Sequence, residues 1–269
     1  MIAFAVLLRF FGWTICLIPL QLVLMAIRAP LSKRLPMVWH QGVCRILGFR
    51  IERYGTVSRT VPTLFVCNHT SYLDISALGA VVPGSFVAKA EVRSWPLFGF
   101  LAILQRTVFV ERRASRTAHH RDNMAARLES GDNLILFPEG TSNDGNRVLP
   151  FKSAFFGIAE KPVRGKPLVV QPVSIAYTRL NGIPMGRPYR PFYAWYGDME
   201  LASHLWNVAG LGNATIAIQF HQPVTIEQFG SRKEMAEACQ AAIADGVSRA
   251  ISGKLTPPIR KRFWAPRPA

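Results

Sequence analysis

The chain reads as an α/β protein: a mixed sheet flanked by helices and preceded by an N-terminal membrane-associated helical segment. Three observations carry that reading. Short β-rich runs alternate with helix-length stretches through the middle of the chain, which is the pattern of a sheet covered by helices. The first 27 residues hold a single charged side chain, Arg9. Two short polar motifs each follow directly on a β-rich run, at the corner where open α/β sheets place their ligands.

The N-terminal segment comes first. Residues 10–27 (FFGWTICLIPLQLVLMAI) are apolar except for Thr14 and Gln21. As a straight helix this stretch is roughly 27 Å long against a hydrocarbon core of roughly 30 Å, and extension back to Met1 lets it span. Pro19 removes a backbone donor near its middle, so a re-entrant or half-inserted helix is the alternative. A cleaved signal peptide fits less well, because the apolar stretch is long and no small-x-small site follows. Arg28, Lys33, Arg34, Arg45 and Arg50 come next. Positive-inside bias then places the bulk of the chain on the cytoplasmic side of the inner membrane. Residues 31–48 predict a second, amphipathic helix with Val38, Trp39, Val43, Ile46 and Leu47 on one face. It is equally consistent with a membrane-surface element and with a core helix. Residues 1–55 are accordingly assigned to anchor and amphipathic helix, 56–254 to an α/β domain, and 255–269 to a basic, Pro-rich, disordered tail.

Within the domain, strands are predicted at 63–67 (TLFVC), 85–88 (SFVA), 107–110 (TVFV), 133–137 (NLILF), 168–177 (LVVQPVSIAY), 192–196 (FYAWY) and 214–220 (ATIAIQF). Residues 117–129 suit a helix. Ser231 and Glu234 form a capping box ahead of Met235, Cys239, Ala242, Ile243, Val247 and Ile251 at helical spacing, with Gly253 as a stop.

Composition narrows the function. Hydrophobic residues are 49% and charged residues 18% of the 269, which excludes a disordered chain. Lys+Arg number 32 against 16 Asp+Glu, a net charge of +16, yet mean hydropathy is +0.17. A chain both basic and greasy suits an anionic surface, and membrane phospholipids are the expected partner. Nucleic acid is not, because the basic residues are dispersed and no nucleic-acid module is present. The four cysteines are far apart and give neither a metal-ligand spacing nor a disulfide framework.

The first polar motif is Asn68-His-Thr-Ser-Tyr-Leu-Asp74. Thr70 or Ser71 can cap a new helix, and Asp74, about one turn in, can reach back to His69. An Asp bonded to one imidazole nitrogen fixes the tautomer and leaves the other nitrogen as a base. No Ser or Cys nucleophile is marked nearby, so the pair suggests direct attack by a substrate hydroxyl. The second motif is Phe137-Pro-Glu-Gly-Thr141. There a Glu can hold hydroxyls and a glycine permits close backbone approach.

Together these motifs resemble the glycerolipid acyltransferases that act on lysophosphatidic acid, the 1-acyl-glycerol-3-phosphate acyltransferases. Asn68, His69 and Asp74 match the first motif of that family. Phe109-Val-Glu-Arg112 is similar to the second, Phe137 to Thr141 to the third, and Gln171-Pro172-Val173 to the fourth. The run from Val148 to Lys152, and Val87 to Glu91 with Trp95-Pro and Phe98-Gly, fit as well. The likeness covers roughly residues 60 to 225.

The resemblance implies that His69, held by Asp74, takes the proton of an acceptor hydroxyl. That oxygen then attacks the thioester of acyl-CoA or acyl carrier protein. Lys89 is the candidate oxyanion donor, with a backbone N–H near Gly140. Asn68, Phe109, Arg112, Glu139, Gly140 and Thr141 are the candidate substrate-binding residues, with Arg112 for an acceptor phosphate. No metal and no cofactor is implied; the acyl donor is a substrate. The expected product is phosphatidic acid, from the sn-2 hydroxyl of lysophosphatidic acid. Two positions depart from the family pattern: Ser142 stands where Arg commonly follows the third motif, so that one phosphate ligand is missing or Arg147 replaces it, and Arg106 stands where the second motif often has Gly. Both touch the acceptor headgroup, so the chain is also similar to relatives that acylate lyso-ornithine lipid, a phosphate-free acceptor. A non-catalytic basic membrane-lipid-binding protein is the alternative from another class, and a hydrolase using the same dyad on water is a further one.

Overall fold

A computed structural model describes residues 1–110 and 117–255. The expected tail, except for Leu255, lies outside the described residues, as does Arg112.

The chain opens with α1 (Ile2–Ala26), which is continuous through Pro19. A 3-10 turn at Pro30–Lys33 leads into α2 (Leu35–Ile46). The alternating strands and helices follow as β1 (Phe49–Tyr54), β2 (Thr63–Cys67), α3 (Leu73–Gly79), β3 (Ser85–Lys89), α4 (Phe98–Leu104), β4 (Val108–Val110), α5 (Thr117–Glu129) and β5 (Leu134–Leu136). Then come β6 (Val169–Leu180), β7 (Ile183–Pro184), α6 (Leu201–Leu211), β8 (Ala214–Phe220) and α7 (Arg232–Ile251). The sheet runs β1-β8-β6-β2-β5-β3-β4, with β7 turned back on β6. β6, β2, β5, β3 and β4 are mutually parallel, and the β6–β8 pair is antiparallel, so the sheet is mixed.

Burial on both faces explains the unbroken apolar strands. In β2, Phe65 and Cys67 face a core built with Val43, Cys44, Leu73 and Leu78 from α2 and α3. Leu64 and Val66 face a second core with Met124, Leu128, Phe156, Met235, Cys239 and Ile243 from the α5 and α7 side. Helix α7 begins at Ser231, whose Oγ accepts the Glu234 N–H, while Glu234 reaches back to the Gly230 N–H.

The structure departs from the expected elements at two places. Residues 192–196 are not a strand: Pro191 withholds a backbone donor and a 3-10 turn, Arg190–Phe192, forms instead. The aromatic run serves packing, with Tyr193 fully buried and stacked on Tyr177 at 5.3 Å. The sheet also begins earlier than the assigned boundary at 55, because β1 pairs with β8 along Phe49–Tyr54. Its sequence, FRIERY, carries three charges and lies on the sheet edge, where charged side chains are tolerated.

The polar interruptions of α1 turn out to be its docking face. Ala3, Phe10, Thr14, Gln21 and Leu24 are buried along one stripe. Trp13 donates its indole N–H to the Trp39 carbonyl at 3.1 Å, and Trp39 donates its own to Thr14 Oγ1 at 3.1 Å. Gln21 donates to the carbonyls of Ser32 and Leu104 at 3.0 and 2.8 Å. Ile2, Phe4, Leu8, Phe11, Ile15, Leu20 and Val23 remain exposed on the other side. Helix α2 is thus a core helix between α1 and α3, with Val43 and Cys44 buried and Val38 exposed. Gly42 is what lets Trp13 lie on it: a Cβ there would fall among the indole atoms. Gly42→Ala should therefore lift the N-terminal half of α1 off α2. The check is amide exchange, in which residues 3–14 should lose protection while β2 and β6 keep theirs. Unchanged protection of α1 would contradict this packing.

Candidate active site

The parallel strands β2, β5, β3 and β4 end along one edge, and both motifs are there. β2 delivers Asn68 and His69, β5 delivers Phe137 to Thr141, and Lys89 closes β3. Asp74 lies in the first turn of α3 and is fully buried. His69 Nδ1 is 3.0 Å from Asp74 Oδ2. The same oxygen accepts the backbone N–H groups of Thr70 and Ser71 at 2.7 and 2.9 Å. Asp74 Oδ1 accepts the Tyr177 hydroxyl at 3.0 Å. A carboxylate only accepts, so Nδ1 carries the imidazole proton and Nε2 keeps its lone pair. The His69 ring stacks on Phe137, with centroids 4.0 Å apart and planes 17° apart. That stacking fixes the ring plane, and the side chain is 20% exposed. The arrangement is a hydrogen-bond-oriented imidazole at an open sheet edge, competent to take a proton from a hydroxyl.

Helix α3 has no side-chain cap of the expected kind. The Asp74 carboxylate takes the N–H groups of Thr70 and Ser71 that a capping hydroxyl would leave unsatisfied, while Ser71 Oγ accepts only the Leu73 N–H at 3.3 Å.

Two of the expected substrate-binding residues are committed elsewhere. Asn68 is buried and continues the β2–β6 ladder with its side chain, donating to the Ile175 carbonyl at 3.0 Å and accepting the Ile175 N–H at 2.9 Å. Glu139 is likewise buried. Its Oε1 accepts the His69 N–H at 2.9 Å, and its Oε2 accepts Asn143 Nδ2 at 2.8 Å and the Leu149 N–H at 3.2 Å. Rather than reaching a substrate hydroxyl, Glu139 ties the His69 backbone to the loop that follows the third motif. Burial pushes its carboxyl up to about 7, against the pull of those three N–H donors.

Gly140 and Thr141 follow β5, Phe109 lies on β4 and Lys89 closes β3. Gly140 has φ +69°, and a Cβ there would come 2.8 Å from Lys152 Nζ, so the glycine lets that ammonium lie across the turn. Thr141 is exposed. Phe109 is half-buried on β4 with the Arg93 guanidinium 5.9 Å above its ring. Lys89 is half-buried, two strands from β2 with β5 between them. Sequence reasoning missed Tyr177 and Asn143, and it marked Ser142 only as a departure from the family pattern. Tyr177 lies 103 residues from Asp74 inside an ordinary β-rich run, and no local pattern marks it. Asn143 donates to the His69 carbonyl as well as to Glu139. Ser142 donates its hydroxyl to the Trp195 carbonyl, and Trp195 in turn donates its N–H to the Thr70 carbonyl at 3.0 Å.

Glu139 gives a pH prediction with a defined sign. Its folded pKa of about 7 stands above the ordinary 4.5, so between these values the folded chain holds a proton that the unfolded chain has released. Stability therefore falls as pH rises through this window and levels off above it. Glu139→Gln cannot titrate and should flatten that slope, making its cost relative to the native chain largest near pH 5. Melting temperatures of both proteins from pH 4.5 to 8 would show it; parallel curves would refute the assignment.

Known proteins are similar to this chain in sequence, and a solved structure is similar to it in fold. A family model described as Acyltransferase matches residues 49–176. A lyso-ornithine lipid O-acyltransferase of Brucella abortus is 43% identical over 91% of this chain and 93% of its own length. A protein of the same name from Rhizobium meliloti is 39% identical over 90% and 84%. A 1-acyl-sn-glycerol-3-phosphate acyltransferase of Neisseria meningitidis is 30% identical over 78% and 81%. Among solved structures, the 1-acyl-sn-glycerophosphate (LPA) acyltransferase PlsC of Thermotoga maritima shares the fold, with a TM-score of 0.65 at 20% identity over 93% of this chain and 96% of that one. A sheet edge that presents an oriented imidazole, and likeness along nine-tenths of the chain, lead to one conclusion: this chain belongs to the acyltransferase family that contains the lyso-ornithine lipid and lysophosphatidic acid enzymes.

Proposed function

We propose that the chain is a membrane-bound O-acyltransferase that moves an acyl group from a thioester donor to the hydroxyl of lyso-ornithine lipid. The carrying observation is the third-motif loop. Where enzymes for lysophosphatidic acid commonly place an arginine, this chain has Ser142, and its hydroxyl is spent on the Trp195 carbonyl. No cation therefore stands directly after the third motif, where the resemblance puts one for a phosphate. The Brucella abortus and Rhizobium meliloti proteins named for lyso-ornithine lipid also match more of the chain, at higher identity, than the Neisseria meningitidis protein named for the glycerophosphate. This reverses the order expected from the sequence, which put lysophosphatidic acid first on the strength of Arg112 and the surrounding positive charge.

In the proposed reaction the acceptor hydroxyl approaches His69 Nε2 while Asp74 holds Nδ1–H. The imidazole takes the proton as the oxygen attacks the thioester carbonyl, and returns it to the departing thiolate of acyl-CoA or acyl carrier protein. General-base assistance of this kind contributes about 10²–10⁴ in rate. Asp74 stabilises the imidazolium as it forms. Lys89 is the proposed oxyanion partner, with a contribution of about 10²–10³.

The membrane reading follows from α1. Its length and mean hydropathy of 2.0 suffice for a span. Its stripe from Ala3 to Leu24, however, is held against the domain. A crossing helix would carry Thr14, Gln21 and the attached α2 surface into hydrocarbon, which is costly for polar groups and for the domain behind them. Half-insertion along the membrane surface, with the exposed Phe4, Leu8, Phe11 and Ile15 in lipid, satisfies both faces. The domain then faces the cytoplasm, where thioester donors are found.

Detergent-purified protein with labelled acyl-CoA and acyl carrier protein, offered lyso-ornithine lipid, lysophosphatidic acid and glycerol-3-phosphate in parallel, tests the reading. Lyso-ornithine lipid should be preferred by at least about tenfold, and His69→Ala should lower transfer by about 10³ or more without releasing the protein from membranes. Acylation of lysophosphatidic acid alone would return the chain to the phosphate branch. Wild-type rates in His69→Ala would refute the mechanism.

A further inference from the structure

The loop that follows the third motif holds a carboxylate that neither the dyad nor the thioester chemistry uses. Asp144 accepts the Asn146 N–H and Asn146 Nδ2, each at 3.1 Å. The loop is pinned to the catalytic turn on both sides of it. Asn143 donates its N–H to the His69 carbonyl at 3.2 Å, and at Gly145 a Cβ would come within 3.0 Å of the Thr70 methyl. Asp144 is therefore fixed within two residues of direct contacts to His69 and Thr70.

Three guanidiniums surround this loop. Arg190 donates to Asn146 Oδ1 at 2.6 Å and to the Met185 carbonyl at 3.0 Å, both neutral acceptors. It is more than nine-tenths buried, and its Nε has no partner. Arg147 follows Asn146 in the chain, and the Arg187 carbonyl accepts Asn146 Nδ2 at 3.3 Å, so both residues lie against the loop. Despite partial burial, the Asn146 hydrogen bonds and then these two charges hold the Asp144 carboxyl below its ordinary value. Yet among the described residues none of these four charged groups forms an ion pair. Opposite charges are held beside one another, unpaired, on the loop that packs against the catalytic turn. The guanidiniums suit an anionic group, and the carboxylate among them adds a place for a cationic one, so the arrangement suits a ligand that carries both.

The headgroup of the acceptor proposed above has that character, since an N-acylated ornithine presents one carboxylate and one side-chain ammonium. We infer that Asp144 is the acceptor-specificity residue of this chain: it takes the ornithine ammonium, while Arg147 and Arg187 take the carboxylate, and it repels the dianionic phosphate of lysophosphatidic acid. This rests on the lyso-ornithine reading and goes further by assigning its recognition to a residue. No cation follows directly on the third motif here, and the one acid in the loop does the sorting.

The test compares lyso-ornithine lipid with its side-chain N-acetyl analogue, which has the same hydroxyl and carboxylate but no ammonium. Wild-type protein should use the analogue with kcat/KM lower by about 10–100-fold, mostly through KM. Asp144→Asn keeps an oxygen to accept the Asn146 N–H, so the loop is retained. In that variant the ratio of the two acceptors should collapse toward one, and the ratio of lysophosphatidic acid to lyso-ornithine lipid should rise. Equal use of both acceptors by the wild type overturns the inference without any variant. So does an unchanged ratio in Asp144→Asn, or an equal loss on both acceptors. If the wild type acylates no lyso-ornithine lipid at all, the functional reading fails and this inference with it. If it does so with an indifferent Asp144, only the inference fails.

Discussion

The structure around the site is organised by one requirement, that a carboxylate with no exposure to water be fully hydrogen-bonded. Asp74 meets it with four donors: an imidazole, two consecutive backbone N–H groups and a phenol. Each donor to a buried charge is worth about 1.5–3 kcal/mol, and a shortfall leaves an ion unsolvated at greater cost. Satisfying it sets the geometry of everything nearby. The two N–H groups are available only if the chain turns sharply after β2, and that turn aims His69 along the sheet edge. The phenol is available only because β6 runs well past the end of β2. With Cys67 opposite Val173, the next inward positions on β6 are Ile175 and Tyr177. Ile175 is stitched to Asn68, and Tyr177 reaches Asp74. The long β6 is thus a rail along which the catalytic turn is registered.

This explains which parts of the site could be read from sequence. His69 and Asp74 were legible because their contact is local: five residues apart at a strand-to-helix corner, they can only meet across one turn. Glu139 and Asn68 were legible as motif residues but not in their tasks, because the tasks are fixed by elements far away in the chain. A polar residue at a sheet edge looks like a ligand-binding group whether it faces a substrate or a neighbouring backbone. Tyr177 was invisible for the same reason. Strand and helix positions were largely legible, since burial on both faces writes continuous apolar runs. The exceptions are instructive: FYAWY at 192–196 has the composition of a strand, but the prolines on its N-terminal side and the stacking of Tyr193 on Tyr177 turn it into packing material.

The N-terminal helix shows how the same residues carry two messages. Thr14 and Gln21 interrupt an otherwise lipid-like stretch, and in sequence they only weaken the case for a span. In the fold they are the points where α1 is fastened to α2 and to the end of α4. A polar group in hydrocarbon is costly and in contact with protein is satisfied, so their positions divide the helix into a protein-facing side and an exposed apolar side. In the proposed half-inserted arrangement the helix acts as a rigid shoulder rather than a tether, and packing rather than a flexible linker sets the distance of the catalytic edge from the lipid surface.

Charge works on two length scales in this molecule. A net charge of +16 acts at long range, drawing the protein to anionic membranes, and is screened beyond about 8 Å at physiological ionic strength. It cannot distinguish one headgroup from another, because every anionic lipid gains from it. Discrimination must come from groups close enough to escape screening and fixed enough not to rearrange for the wrong ligand. The loop after the third motif has both properties: Asn143 and Gly145 hold it to the catalytic turn, and Asn146 holds it to the buried Arg190. A single carboxylate there opposes the sign of the whole chain. In so basic a protein an acid beside the site is electrostatically easy to keep ionised, and it makes the local field mixed where the global field is uniform. An enzyme that must find its acceptor on an anionic surface, yet refuse the anionic lipids that surround it, needs those two fields to differ.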